Sequence, residues 1–357
     1  MHALFPVRLM VFSLSLGLAA CGSGGAGAGA GGGTAGTAGT TGGGAGAAGA
    51  TAASSGPYGL FDIHYIGSSF YTDISGFMYD GPPADLVVWD KKKTEGDCSL
   101  YTPSTPFCDS CPTGQVCVGT NLCRAQPATQ SVGDVTLSGL NPPSGVNPLK
   151  LVVGGNNSYL CAETLPVPPC STPGGAIRLD ATGAGAYPAF SIPAECIAPL
   201  VLTTTAVALE SGKPFSLTWT PGTVADARIT LEFDLSHHGG SKGQLRCDTG
   251  DTGSLTVSAT LIKSLLDLGV TGFPWLTVSR VVKGTSTVGS GQAQLTVYSD
   301  FRFDDMDISG LKSCTDSSQC PSGQTCLTGS YMCGVACTTN ADCPTGQTCL
   351  ATTKVCQ

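Results

Sequence analysis

Cysteine spacing constrains this chain more than any other feature. Of its 18 cysteines, eight crowd the last stretch and repeat: Cys314, Cys320, Cys326 and Cys333 recur 23 residues later as Cys337, Cys343, Cys349 and Cys356. Pro321-x-Gly323-Gln324-Thr325 recurs with them as Pro344-x-Gly346-Gln347-Thr348. A third, degenerate copy reads Cys111-Pro112-Thr113-Gly114-Gln115-Val116-Cys117 and closes at Cys123, with its first cysteine displaced to Cys108 and Cys98 left over. A unit of about 20 residues cannot enclose a hydrophobic core, so crosslinks must hold it. Short loops closed by disulfides supply roughly 2–4 kcal/mol each, and the Pro-x-Gly step supplies the turn between bonded cysteines. Four cysteines allow three pairings; we expect first with third and second with fourth in each repeat. Zinc would call for paired Cys-x2-Cys or Cys/His knuckles; only Cys108 and Cys111 show that spacing, and no histidine lies near.

These units resemble the Dickkopf N-terminal-like cysteine-rich repeats of bacterial surface lipoproteins. The resemblance rests on the spacing and on the Cys-Pro-x-Gly-Gln core. It implies an extracytoplasmic interaction or spacer module, without catalysis. Cys161 and Cys170, in the middle of the chain, are expected to be bridged as well. The cysteines after Cys21 number 17, an odd count. At least one thiol is therefore left over, and we expect it among the five from Cys98 to Cys123.

The N-terminus carries a second signature. Arg8 precedes an apolar run from Leu9 to Leu18, which ends in Leu18-Ala19-Ala20-Cys21. The run is too short to cross a bilayer as a helix, and charge, apolar core and small residues follow in the order of a secretory signal. Residues 18–21 resemble the lipobox of bacterial lipoproteins at all four positions. That resemblance implies removal of residues 1–20, a diacylglyceryl group on the Cys21 thiol, and membrane attachment through that lipid. With Gly22 in place of Asp, lipoprotein sorting rules imply the outer membrane, on its periplasmic or its surface face. From Gly22 to Gly56 there is only Gly, Ala, Ser and Thr. Residues 21–56 are therefore expected to be a flexible tether, with a reach of about 30–35 Å for a Gly-rich coil.

The rest of the chain has the pattern of a β domain. Ile229, Leu231, Phe233 and Leu235 alternate with Thr230, Glu232 and Asp234, and Phe215, Leu217 and Trp219 behave alike. Alternation puts one face on a core and the other toward water, and frequent Pro and Gly breaks predict many short strands. We expect a mainly β fold: an antiparallel β-sandwich over 125–310, with one short helix capped by Ser258 and stopped by Gly269. Its apolar stripe would be Leu261, Ile262, Leu265, Leu266 and Leu268. Residues 57–97 hold Tyr58, Phe61, Tyr65, Phe70, Tyr71, Phe77, Tyr79 and Trp89. They read as a β segment belonging to the same sandwich, with Phe61, Ile63 and Tyr65 turned inward. Residues 98–124 read as an inserted cysteine-rich module, and 311–357 as the two cysteine repeats flanking the sandwich.

Three constellations could carry chemistry. Asp248-Thr249-Gly250 and Asp251-Thr252-Gly253 repeat the triplet of aspartic proteases. Tandem copies three residues apart, however, cannot form two facing lobes that share a proton. His237-His238 ends an alternating strand, where neighbouring side chains point to opposite faces. Asp305, Asp307, Ser309 and Asp316 match a calcium loop in outline, at positions one, three, five and twelve around Gly310. Calcium is the one cofactor this pattern offers.

Net charge is −8 and only 12% of residues are charged, about half the usual share. An acidic, charge-poor surface argues against nucleic acid and against electrostatic binding to anionic membranes. We expect a lipid-anchored envelope or cell-surface protein that binds a glycan or an envelope protein, or serves as structure, and is not an enzyme. Two other classes stay open: a carbohydrate-binding adhesin using the aromatics of 57–97, and an envelope hydrolase using Asp248 and Asp251 or His237 and His238.

Overall fold

The computed structural model describes residues 56–357 except 67–70, 84–86, 105–106, 237–241, 305, 309–310, 328, 330, 344–347, 351–354 and 357. Within them the fold is mainly β, with a single α-helix and small disulfide-bonded units. Its spine is a long hairpin. An outbound strand, Trp275–Val288, turns at Gly289 and Ser290 into a return strand, Gly291–Phe303. Strand β1 (Tyr58–Ile66) lies parallel to the return strand and antiparallel to β2 (Tyr71–Tyr79). On the other side the outbound strand pairs with Arg228–Asp234, which pairs with Gln244–Gly250. Beyond these come β4 (Cys98–Ser104) and β3 (Val88–Glu95). Short strands at Val152–Val153, Tyr159–Leu160 and Thr129–Gln130 complete an 11-stranded sheet on the β2 side. The sheet is mixed: the β1 pairing is parallel, where local patterning suggested antiparallel neighbours throughout.

One face of this sheet is covered in two places. Near the hairpin turn, a four-stranded sheet ordered Phe190–Glu195, Ala176–Ala181, Val135–Ser138, Leu149–Lys150 packs on it. That packing encloses a core with Phe61, Ile63, Tyr65, Val282, Leu295 and Val297. Toward the far end, two two-stranded ribbons and α1 (Ala259–Asp267) cover a second core with Leu217, Phe233, Leu245, Leu261, Leu276 and Val278. Ser258 accepts from the Leu261 N–H, and Leu261, Ile262 and Leu265 are the buried stripe of α1. No described helix is long and apolar enough to cross a membrane.

The outbound strand shows how the two cores divide. Its inward positions, taken every second residue, are Leu276 and Val278 in the second core, then Arg280, then Val282 in the first. Arg280 sits at the waist, 2% exposed, and its Nε donates to Asp251 Oδ2 at 2.7 Å; Asp251 is 4% exposed. The same guanidinium donates to the carbonyls of Ala198, Pro199 and Thr220. Asp251 also accepts from Trp219 Nε1 at 2.6 Å and from Gly222 N at 2.9 Å. Beside it, Ser299 Oγ accepts from Leu200 N at 2.9 Å. The waist is therefore a polar stitch that holds the 198–200 crossing segment between two hydrophobic halves.

Eight disulfides occur among the described residues. Cys314 pairs with Cys326, Cys320 with Cys333, Cys337 with Cys349, and Cys343 with Cys356. The degenerate unit follows the same order, Cys108 with Cys117 and Cys111 with Cys123. Three expectations need correction. Cys98 is a main-sheet residue at the start of β4, in register with Cys247 and bonded to it, so the inserted module begins after β4 rather than at residue 98. Cys161, expected to be bridged, is a buried thiol whose Sγ donates to the Glu163 carbonyl at 2.8 Å, because Cys170 bonds Cys196 instead; the odd cysteine therefore lies outside the 98–123 group.

Candidate functional site

Because β1 buries Phe61, Ile63 and Tyr65, its alternation turns Tyr58, Leu60, Asp62, His64 and Ile66 to the opposite face of the sheet. Tyr71, Asp73, Phe77 and Tyr79 of β2, and Thr296, Tyr298 and Asp300 of the return strand, share that face by register. These side chains are half-buried. At the centre, His64 stands opposite Asp73 on one side and Tyr298 on the other. Its ring stacks on Tyr298 at 4.2 Å and 13°, and Nε2 lies 2.8 Å from Asp300 Oδ1. Burial raises the pKa of Asp62 against the opposing pull of its Thr296 hydrogen bond, His64 and Lys283. Burial raises that of Tyr298 as well, and the carboxylates of Asp62, Asp300 and Asp73 add to the effect. At the turn end of the same face, Phe77 and Tyr79 stack at 5.9 Å, with Tyr79 across from Tyr58.

The far half of this face is tiled differently. Arg246 lies over the rings of Trp89 (4.8 Å) and Tyr101 (5.2 Å) and ion-pairs with Glu232 at 3.3 Å. Arg302 covers Trp275 at 4.9 Å. Burial raises the pKa of Glu232, with Arg246 opposing it. Planar rings beside hydrogen-bonding carboxylates suit a ligand with both apolar and hydroxylated faces. The guanidinium groups of Arg246 and Arg302 lie over these rings as cation–π partners.

The residues expected from sequence fall elsewhere. Asp248 is half exposed, 2.8 Å from Arg228 Nε in a surface ion pair, while Asp251 is the buried partner of Arg280. The two aspartates do not converge. Asp307 lies on the Met306–Ile308 strand. Asp316 caps a 3-10 turn, accepting from Ser318 N at 2.8 Å. Asp305, Ser309, His237, His238 and Cys21 lie outside the described residues. Three cysteine groups, among them Cys314, Cys320 and Cys333, have sulfurs within 4.8 Å of one another, but those sulfurs are bonded in disulfides. The His64–Asp300 pair went unseen in the sequence because 236 residues separate its members. Alternation in β1 could have shown only that His64 faces away from the core.

No family model matches this chain, and no curated protein matches it. Among solved structures it is similar to the FN1–FN3 domains of chicken CNTN1, at 9% identity over 66% of this chain and 74% of that one, with a TM-score of 0.17. A likeness at that score carries no argument about fold or function.

Proposed function

We propose that this protein is exported, anchored in the outer membrane through Cys21, and acts there by binding rather than by catalysis. The observation that carries this reading is the crosslinking: both cores and all three cysteine units are bridged. A chain bridged throughout belongs in an oxidising compartment. The lipobox resemblance of residues 18–21 supplies the anchor, and the half-buried face around His64 supplies a binding surface. The test compares wild type with Cys21→Ala in cells fed labelled palmitate and fractionated. Label and membrane recovery present in wild type and lost in Cys21→Ala is the expected result; membrane recovery equal in both overturns the anchor.

A carbohydrate is the ligand class favoured by one specific observation, the half-buried rings of Tyr58, Tyr71, Phe77 and Tyr79 beside carboxylates on one face. Rings of this kind cover the C–H face of a sugar while carboxylates accept from its hydroxyls. Screening wild type and Phe77→Ala on a glycan array tests it. Spots bound by wild type and lost by the variant support the reading, and an array bare with both excludes the glycans it carries.

A further inference from the structure

The anchored segment and the cysteine repeats leave the spine hairpin at opposite ends. At the turn, Gln292 N donates to the Pro57 carbonyl at 3.0 Å, and β1 starts alongside Gln292. Space there is so tight that a Cβ on Gly56 would stand 2.6 Å from the Ser290 carbonyl carbon. Residues coming from Cys21 thus enter the body at the turn. From it the return strand runs 13 residues, roughly 40 Å at the usual rise per strand residue, to Phe303.

The first repeat is seated beyond that end. Met332 is buried in the second core, with Leu311 packed against it. Tyr331 meets Phe273 at 5.8 Å between ring centroids, and within the repeat Cys333 N donates to the Lys312 carbonyl at 2.7 Å, holding that contact's strand to the segment leading in from the body. The first repeat is thereby fixed to the body at the far end, and the second repeat follows it in the chain.

We infer that the molecule is polar along its spine: the hairpin turn at Gly289 and Ser290 faces the membrane, and the cysteine repeats form the membrane-distal tip. This rests on anchorage at Cys21. The chain's net charge of −8 grows by one negative unit when Arg8 leaves with residues 1–20, and an anionic bilayer repels so acidic a body, so the end where the chain enters sets the average orientation.

The test uses the mature lipidated chain on phosphatidylglycerol-containing vesicles with acceptor dyes in the headgroups. A clickable residue at Ser290 or at Ser317 carries the donor. Strong quenching at Ser290 with most emission kept at Ser317 is the expected result. Equal quenching at both positions, or stronger quenching at Ser317, overturns the polarity. Flotation of the same vesicles reads the anchor separately. A chain that begins at Gly22 and is held by an N-terminal hexahistidine tag on nickel-chelating lipid repeats the distance measurement without the acyl groups. Failure to float with the expected gradient on nickel lipid overturns only the anchor, whereas flotation without a gradient overturns only the polarity.

Discussion

Arg280 interrupts an apolar row, and a buried guanidinium there is tolerated only because Asp251 and three carbonyls meet it. Removing one member of such a pair strands a charge in the interior, which costs about 3–5 kcal/mol. Asp251→Ala is therefore expected to lower unfolding stability by that amount in urea. Asp248→Ala breaks only the exposed pair with Arg228 and should change stability by less than about 1 kcal/mol. Similar losses in the two variants would mean that the waist is not a stitch. Nothing near Asp251 in the sequence reveals its role, since its partner lies 29 residues away; the duplicated Asp-Thr-Gly triplet gives these two aspartates a false equivalence. Asp342 offers a test by pH. It accepts from the backbone N–H groups of Thr339 and Thr338 and from the Thr338 hydroxyl, which lowers its pKa from 3.8 to about 2. A depressed carboxylate adds stability that is complete above its unfolded pKa and is lost as pH falls through its folded one. The Thr338 and Thr339 amide resonances should accordingly shift with a midpoint near pH 2; a midpoint near 3.8 would show that the latch does not form.

Elements follow sequence where contacts are local. Ile229, Leu231, Phe233 and Leu235 are all 2% exposed or less, and α1 runs from its Ser258 cap with Leu261, Ile262 and Leu265 of the anticipated stripe buried and Leu266 and Leu268 half-buried beside them. The inward turn of Phe61, Ile63 and Tyr65 was equally legible. What alternation cannot encode is which strand lies beside which. Tyr58 opposes Gln292, and Cys98 finds Cys247 across 149 residues; pairings this distant are chosen by how whole faces pack. Gly284 is a case in point, since only its neighbours in space explain it. A Cβ there would lie 1.9 Å from the Pro193 carbonyl oxygen, so the covering strand Phe190–Glu195 approaches the spine through the missing side chain. Gly284→Ala must push that strand outward, and overpacking of this kind costs about 1–3 kcal/mol. Thermal melts of wild type and variant measure the cost; an unchanged melt would place the covering strand farther from the spine.

Across the whole molecule, crosslinks and cores divide the labour of stability. The body has two cores and one bridge in each, Cys170–Cys196 and Cys98–Cys247, with all four of these cysteines buried. By loop length, closing 149 residues contributes about 5 kcal/mol, yet the body would still hold its apolar interior without that bridge. The cysteine units have no such reserve. In each C-terminal repeat both bridges have one half-buried cysteine, and in the 108–123 unit all four are half-buried. A reductant therefore reaches the units first, and only the first repeat, through Met332, has a core contact to hold it. Mild reduction should open the units while the body survives, because local opening tracks the number of buried contacts that hold a segment. Hydrogen exchange followed by mass spectrometry resolves the two. The expected record is early loss of protection over 108–123 and 337–356, later loss over 314–333 where Met332 anchors the first repeat, and retained protection over Phe61–Tyr65 and Ile229–Phe233. Simultaneous loss everywhere would mean that the bridges, and not the two cores, hold the body together.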